Sequence, residues 1–310
     1  MDVVHVCAVG TMLFVVFGLA QDIHPFFDAF SQFRLHAVAL LLLALPVLLI
    51  ARRIFSGLLV IGVAVFALVQ TQPFLSGALQ AQGAAHSESS ALRVVQINLW
   101  HRNVFNERIV DVLRAADADV LLLQEVSDRN MPAVEALVAS HPNIMICRNR
   151  QQPGQTAVLT RLPLNGDGAK FCHPTKSFAS MNVMWREQQV TVASLHLSWP
   201  WPLSQHRQIT EMRDTLTGLQ GKTFVIGGDF NANPWTNTVQ RVALASGGEI
   251  ARRMLLSWGP GHPQERERNM RFLSLDQTIT SGFTVAERRP LPTVGSDHIP
   301  IVTELVLTGR

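Results

Sequence analysis

The chain has 310 residues, 47 % of them hydrophobic and only 16 % charged, with a formal net charge of +3. This is more apolar than an average soluble domain, so part of the chain is expected not to be soluble. The small basic surplus offers no dense basic face of the kind that marks nucleic-acid binding, and three cysteines without C-x-x-C spacing exclude cysteine or zinc chemistry as the theme.

The apolar excess sits at the front. Residues 1–90 contain only three basic and four acidic side chains. Within them, residues 3–20, 35–51 and 54–70 are three apolar runs free of formal charge, each near the short end of the roughly 17–25 residues that cross a bilayer as a helix. The first run lacks a basic leader and is followed by two more, so three transmembrane helices over residues 1–70 are expected rather than a cleaved signal peptide. Arg52 and Arg53 occupy the tight turn between the second and third runs, and the positive-inside bias places that turn in the cytoplasm. The loop 21–34 and everything after residue 70 then lie outside the cytoplasm. The expected setting is a multi-pass protein of a bacterial-type inner or plasma membrane. Residues 71–91, rich in Gln, Ala, Ser and Gly, show neither helical nor strand period and read as a linker.

A second domain is expected over 92–310. Residues 94–99 and 120–124 read as buried strands, with an amphipathic helix over 107–116 between them and another over 131–140. Strands at 156–160, 180–185 and 189–197 follow, then a helix over 203–219 and a strand at 223–228. Strands at 273–280, 283–288 and 299–307 close the chain. Alternation at the start and consecutive strands in the middle predict a mixed-sheet α/β domain built in packed layers.

Polar groups stand at the ends of the most apolar strands. Asn98 ends Val94-Val95-Gln96-Ile97-Asn98, Glu125 ends Leu121-Leu122-Leu123-Gln124-Glu125, and His196 lies within Ser194-Leu195-His196-Leu197. Asp229 and Asn231 follow Ile226-Gly227-Gly228, and Gly295-Ser296-Asp297-His298 precedes the last strand. Each alone has a local explanation, as a turn former, an exposed strand end or a helix cap. Rigid elements nevertheless can hold such groups around one small site.

Asn98-Leu99, Gln124-Glu125, Leu195-His196-Leu197, Gly228-Asp229-Phe230-Asn231, Leu275-Asp276 and Ser296-Asp297-His298-Ile299-Pro300, in that order, resemble the endonuclease/exonuclease/phosphatase superfamily. That superfamily includes deoxyribonuclease I, exonuclease III, neutral sphingomyelinases and inositol polyphosphate 5-phosphatases. The resemblance implies a four-layer α/β sandwich with two central mixed sheets, here preceded by the transmembrane helices. It implies a hydrolase acting on phosphoric ester bonds with Mg²⁺ at the sheet edges, Mn²⁺ being the alternative ion. Carried over residue by residue, Asn98, Glu125 and Asp297 become metal ligands. Asp229 orients or deprotonates the attacking water and Asn231 donates to phosphoryl oxygens. His298 becomes base or phosphate contact, positioned by Asp276, and His196 matches the second histidine of the deoxyribonuclease-like and sphingomyelinase-like members. The chemistry agrees, because an anionic phosphodiester needs charge neutralisation, an activated water and a stabilised leaving oxygen.

Departures from the pattern narrow the reading. The chain has no tyrosine, so the active-site tyrosine of the exonuclease III branch is missing, and Gln155 stands where glycine is common. Trp199 and Trp201, alternating with prolines 200 and 202, suit a stacked base, lipid headgroups or core packing. His206 and Arg207 open the next helix beside them. The leading expectation is a phosphodiesterase or nuclease-like enzyme, with nucleic acid or a phospholipid headgroup as substrate. A sphingomyelinase-like or phosphomonoester phosphatase, and a non-catalytic membrane-anchored binding module, are the alternatives. Membrane lipid is expected to contact the N-terminal helices, and no protein partner is expected. A serine hydrolase would need a G-x-S-x-G elbow, which the chain lacks.

Overall fold

The computed structural model describes residues 2–80, 91–148, 154–166, 169–173, 175, 177–201, 203–260 and 270–308. Residues 81–90 of the expected linker and Pro202 of the tryptophan loop lie outside them.

Four helices open the chain: α1 (Asp2–Leu19), α2 (Pro25–Ser31), α3 (Arg34–Ile50) and α4 (Ile54–Gln80). Helices α1, α3 and α4 pack around Val15, Leu41, Val60 and Ala67. Their outer faces are apolar as well, with Val6, Leu13, Leu43, Phe55, Leu58 and Phe66 exposed. A helix apolar all round needs lipid or a larger core to cover it. By length and hydropathy one helix, Ile54–Ser76, is able to cross a membrane; α2 and α3, bent by 57°, qualify together as a second, and Val3–Leu19 is shorter.

Two sequence expectations are corrected here. The linker was expected from residue 71, but α4 continues to Gln80. Its Gln- and Ser-rich last turns hide the helical period, and the second domain supplies the missing support. Phe74 is buried there and its carbonyl accepts from Met254 N at 3.3 Å. The loop 21–34 also holds the unexpected α2, started by Pro25 and by His24 Nδ1, which accepts from Phe26 N at 3.1 Å.

The second domain runs β1 (Leu92–Asn98), α5 (Asn106–Ala115), β2 (Val120–Val126), α6 (Met131–Leu137), β3 (Asn143–Cys147), β4 (Gln155–Thr160), β5 (Lys170–His173), β6 (Phe178–Trp185) and β7 (Gln188–Leu195). It continues with α7 (Ser204–Glu211), α8 (Arg213–Thr217), β8 (Phe224–Asp229), α9 (Asn237–Ser246), β9 (Glu249–Ile250), β10 (Asp276–Ser281), β11 (Phe283–Pro290) and β12 (Ile301–Leu307). The single helix expected over 203–219 is broken at buried Met212, where φ −90° and ψ 0° leave the helical region. Two mixed six-stranded sheets result, ordered β11-β12-β1-β2-β4-β3 and β5-β6-β7-β8-β10-β9.

Period two of the strands builds the layers. In β1, Val95 and Ile97 face α5 and α6 through Ile109, Leu113 and Val134. Val94 points the other way and meets Leu122, Val192 and Val225 between the sheets. On the far side Ile226 and Leu195 pack under α7, α8 and α9 with Ile209, Leu216 and Val242. Both faces of the central strands are therefore buried, which explains their unbroken apolar runs. The result is the expected four-layer sandwich. A disulfide joins Cys147 of β3 to Cys172 of β5, edge strands of different sheets. Cross-linking positions 25 residues apart restricts the unfolded chain by about 3 kcal/mol in the chain-entropy view.

Each sheet contains one parallel pair, β1 with β2 and β7 with β8. The carboxyl ends of both pairs lie at one end of the sandwich, where open α/β sheets collect their functional groups. Gly227 and Gly228 bring β8 against the opposite sheet. A Cβ on Gly227 would lie 2.5 Å from Gln96 Oε1, and one on Gly228 2.8 Å from Gln124 Nε2.

Candidate active site

Asn98 and Glu125 sit at neighbouring ends of β1 and β2, and the local backbone aims the glutamate. The pairing of β2 with β4 shifts between Leu123 and Val126, leaving Glu125 on a bulge at φ +54°. A left-handed non-glycine residue costs about 1–3 kcal/mol and persists only where its surroundings fix it. Gly154 is part of that fixation, because a Cβ there would fall 2.5 Å from Glu125 Cα. The carboxylate so presented is held at both oxygens. Oε1 accepts from Asn98 Nδ2 at 3.1 Å, and Oε2 accepts from His101 N at 2.9 Å and lies 2.8 Å from His101 Nδ1. Burial opposes ionisation of Glu125, but the His196 ring and the hydrogen bonds from His101 and Asn98 outweigh it and hold its pKa below the usual range.

Asn98 Nδ2 also donates to Asp229 Oδ2 at 2.9 Å, so one amide ties the carboxylates of two sheets together. Asp229 ends β8 and is 1 % exposed. Its Oδ1 accepts from Asn231 N at 2.8 Å, closing a tight turn in which Asn231 takes φ +47°. The Asn231 amide donates to Leu197 O at 2.8 Å and lies 3.5 Å from His196 Nε2. Around Asp229 Oδ2 stand His298 Nε2 at 3.5 Å and His196 Nε2 at 3.6 Å. Burial pushes the Asp229 carboxyl above its ordinary range despite these two rings.

Asp276 begins β10 directly across from Asp229 in the ladder. Its Oδ2 lies 2.7 Å from His298 Nδ1, and its backbone carbonyl accepts from the buried Arg288 at 2.5 Å. Both ring nitrogens of His298 face carboxylates, which favours the doubly protonated ring. Burial opposes that charge, but Asp276 and then Asp229 outweigh it and raise the pKa to about 10. Base action by His298, one of its two expected roles, therefore disagrees with its surroundings, whereas donation to an anion agrees.

The structure brings together Asn98, Glu125, His196, Asp229, Asn231, Asp276 and His298. Asp297, expected as a metal ligand, has its carboxylate accepting from Trp258 Nε1 at 3.2 Å and lying 3.3 Å from Ser296 Oγ. The carboxylate that joins Asn98 and Glu125 is that of Asp229. Two further residues of the site, His101 and Trp258, have no part in the motifs, and Ser296 is seen there only as part of its motif. His101 holds Glu125, Ser296 Oγ donates to Asn98 O at 2.6 Å, and Trp258 forms the rim over Asp297. His101, three residues past Asn98, was the one visible signal. Trp258 reaches the site only by bridging to Leu273 and His298.

Among the described residues, no three His, Cys, Asp or Glu side chains form a group able to hold a metal ion by themselves. The donors present fit Mg²⁺ nonetheless. Glu125 supplies a carboxylate and Asn98 beside it an amide oxygen, a hard, all-oxygen pair, and Mg²⁺ keeps most of its waters while using one or two carboxylates.

The chain is a hydrolase acting on phosphoric ester bonds. Residues 95–298, well over half of the chain, match the sequence pattern of the Endonuclease/Exonuclease/phosphatase family, and the chain belongs to that family. Its enzymes generally use divalent metal ions. The fold is similar to an endonuclease/exonuclease/phosphatase family protein from Bacteroides thetaiotaomicron, at 14 % identity and TM-score 0.57 over 71 % of this chain and 99 % of that one. It is also similar to D. rerio TDP2 complexed with single strand DNA product, at 15 % identity and TM-score 0.54 over 70 % and 99 %. A third likeness is the endonuclease/exonuclease/phosphatase from Beutenbergia cavernae, at 19 % identity and TM-score 0.52 over 71 % and 72 %. A comparison with curated protein sequences finds no match.

Proposed function

We propose that the protein is a membrane-anchored, Mg²⁺-dependent phosphodiesterase whose catalytic domain lies outside the cytoplasm. The observation that carries the chemistry is the junction of Glu125, Asn98 and Asp229 facing His196, Asn231 and His298. Glu125 and Asn98 would hold the divalent ion, Mg²⁺ or in its place Mn²⁺. When bound, it neutralises charge on the phosphoryl and leaving oxygens. Asp229 orients and deprotonates the attacking water. His196, Asn231 and protonated His298 donate to the phosphoryl oxygens, with Asp276 fixing the His298 ring.

Release of product from plasmid DNA, RNA, sphingomyelin and inositol phosphates, each with Mg²⁺ and with EDTA, tests the reading. Metal-dependent cleavage of a diester supports it; cleavage of monoesters alone, or of nothing by folded protein, overturns it. One observation favours a lipid headgroup among the diesters. Trp199 and Trp201 are 59 % and 60 % exposed, and Trp201 lies 5.5 Å from Phe26 of α2, beside the apolar helices. Exposed indoles next to a membrane anchor suit the interface between water and lipid.

The anchor is read as three crossings by α1, α3 and α4, with the domains 1–70 and 92–310 expected from the sequence displaced only at the end of α4. Two contacts support α3 and α4 as an out-and-back pair of crossings, which with α1 makes three. The loop carrying α2 and the far part of α4 both meet the catalytic domain, through Gln21 with Trp235 and Phe74 with Met254, so the chain returns to one side. Arg52 and Arg53 then occupy the opposite, cytoplasmic side. The disulfide between Cys147 and Cys172 suits an oxidising compartment. A reporter active only in the cytoplasm, fused after Ala91, is expected to stay silent, while the same reporter in the turn at Arg53 is expected to be active. The reverse pattern would invert the topology.

A further inference from the structure

The segment joining the first two apolar helices buries more polar groups than its own fold requires. Asp28, Ser31 and Gln32 are at most 5 % exposed. A buried carboxylate costs several kcal/mol unless donors replace its water, and here most of the donors come from the catalytic domain. Asp28 Oδ1 accepts from Asn237 N at 2.9 Å, and Oδ2 accepts from Thr238 N at 2.9 Å, the first two N–H groups of α9. These groups have no partner within their own helix, and a negative charge there is also stabilised by the positive end of the helix dipole.

Two chains of contacts lead from this segment into the site. Thr238 Oγ1 lies between Asp28 Oδ2 at 2.7 Å and Gln205 Oε1 at 2.8 Å, and its single proton bridges them. Gln205 Nε2 donates in turn to Phe230 O at 2.8 Å, between Asp229 and Asn231, and to Ser198 O at 2.9 Å, two residues past His196. In the second chain, Gln32 Oε1 accepts from Asn233 N at 3.0 Å and its backbone carbonyl accepts from Asn233 Nδ2 at 2.7 Å. Asn233 Oδ1 then accepts from Ser274 N at 3.1 Å, two residues before Asp276. Both chains end on backbone flanking the turn that holds Asn231 at φ +47°. Such a conformation needs support from outside the turn.

We infer that Asp28 and Gln32 are positioning residues of the catalytic turn, so that the loop between the first two apolar helices completes a site whose reacting groups all belong to the other domain. The kinetic part rests on the proposed phosphodiesterase activity; the structural part does not. Full-length protein in detergent, carrying Asp28→Ala or Gln32→Ala, is compared with the unaltered chain on bis(p-nitrophenyl) phosphate with Mg²⁺. We expect kcat to fall roughly 10- to 100-fold in Asp28→Ala while KM and the half-saturating Mg²⁺ concentration move less than about threefold, since a misplaced turn affects the transition state more than the ground state. Asp28→Asn, which retains one acceptor for α9, should recover part of the loss. Adding Thr238→Val to Asp28→Ala should cost little more, because both break one chain.

Amide hydrogen exchange reads the same coupling without any substrate. Protection at residues 230–238 is expected to fall by about tenfold or more in Asp28→Ala and Gln32→Ala, with the β8 core unaltered. Unchanged exchange overturns the inference even if the protein cleaves none of the substrates. Faster exchange with an unchanged kcat in an active enzyme overturns it too, since the loop would then serve structure alone. If Asp28→Ala fails to fold, Asp28→Asn and Gln32→Ala decide by the same two readouts.

Discussion

Asp229→Asn is expected to lower kcat by about 10³-fold or more at saturating Mg²⁺, roughly 4 kcal/mol of transition-state stabilisation, with the fold intact. The substitution keeps the shape and removes the negative charge. Wild-type Asp229 Oδ2 accepts from Asn98 Nδ2 at 2.9 Å and faces His298 Nε2 at 3.5 Å and His196 Nε2 at 3.6 Å. His298 does not replace it as base, because Asp276, the foremost group holding its ring protonated, remains. The loss should therefore fall on the chemical step and spare the Mg²⁺ requirement. Stability should change little, since burial already disfavours the Asp229 carboxylate and the neutral amide is spared that desolvation. Kinetics across a Mg²⁺ titration, with circular dichroism and thermal unfolding as controls, check both halves. A kcat within tenfold of the unaltered enzyme would remove Asp229 from the chemistry.

The contrast with Glu125 makes this informative. Glu125 and Asp229 share one amide donor, but their surroundings push them in opposite directions, Glu125 towards the ionised form and Asp229 towards the neutral one. Paired groups with diverging pKa values mark different tasks, here metal holding against proton handling.

What the sequence revealed of the site came from one kind of signal, a polar residue closing a run of apolar ones. Asn98, Glu125 and Asp229 were visible because a strand buried on both faces has no other reason to end on such groups. The bulge that turns Glu125 to φ +54° left no trace, since it depends on the pairing of β2 with β4 and on Gly154 some thirty residues away. Asp297 left as little sign of its surroundings. Adjacent to His298 in the chain, it is turned to Trp258, whose position follows from a bridge no local period encodes. The edge strands β3 and β5 and the docking of α2 escaped in the same way. Short half-exposed strands carry a weak alternation, and Asp28 reads as an ordinary loop residue until Asn237 and Thr238 are brought to it.

Asp276→Asn is expected to move the alkaline limit of activity to lower pH by more than about one pH unit and to lower kcat at neutral pH roughly 10- to 100-fold. His298 is 3 % exposed, and burial alone would depress its pKa; Asp276 at 2.7 Å is the foremost group that reverses this and, with Asp229, carries it to about 10. If the protonated ring donates to the phosphoryl oxygens, the unaltered enzyme loses activity only as pH rises through about 10. With a neutral amide in place of Asp276, the ring gives up its proton sooner and a smaller fraction is competent near neutrality. The same shift has a consequence for stability whose sign is fixed. A histidine raised in the folded state from its ordinary 6.5 contributes stability fully present below about 6.5 and lost as pH rises through about 10. The urea midpoint of the unaltered chain should therefore decline across that window, with a slope of at most about 1.4 kcal/mol per pH unit from one proton. In Asp276→Asn the decline should end at lower pH. A pH–rate profile and urea titrations at several pH values on both proteins measure this. An alkaline limb at the same pH in both would separate His298 protonation from Asp276 and with it the positioning role of that carboxylate.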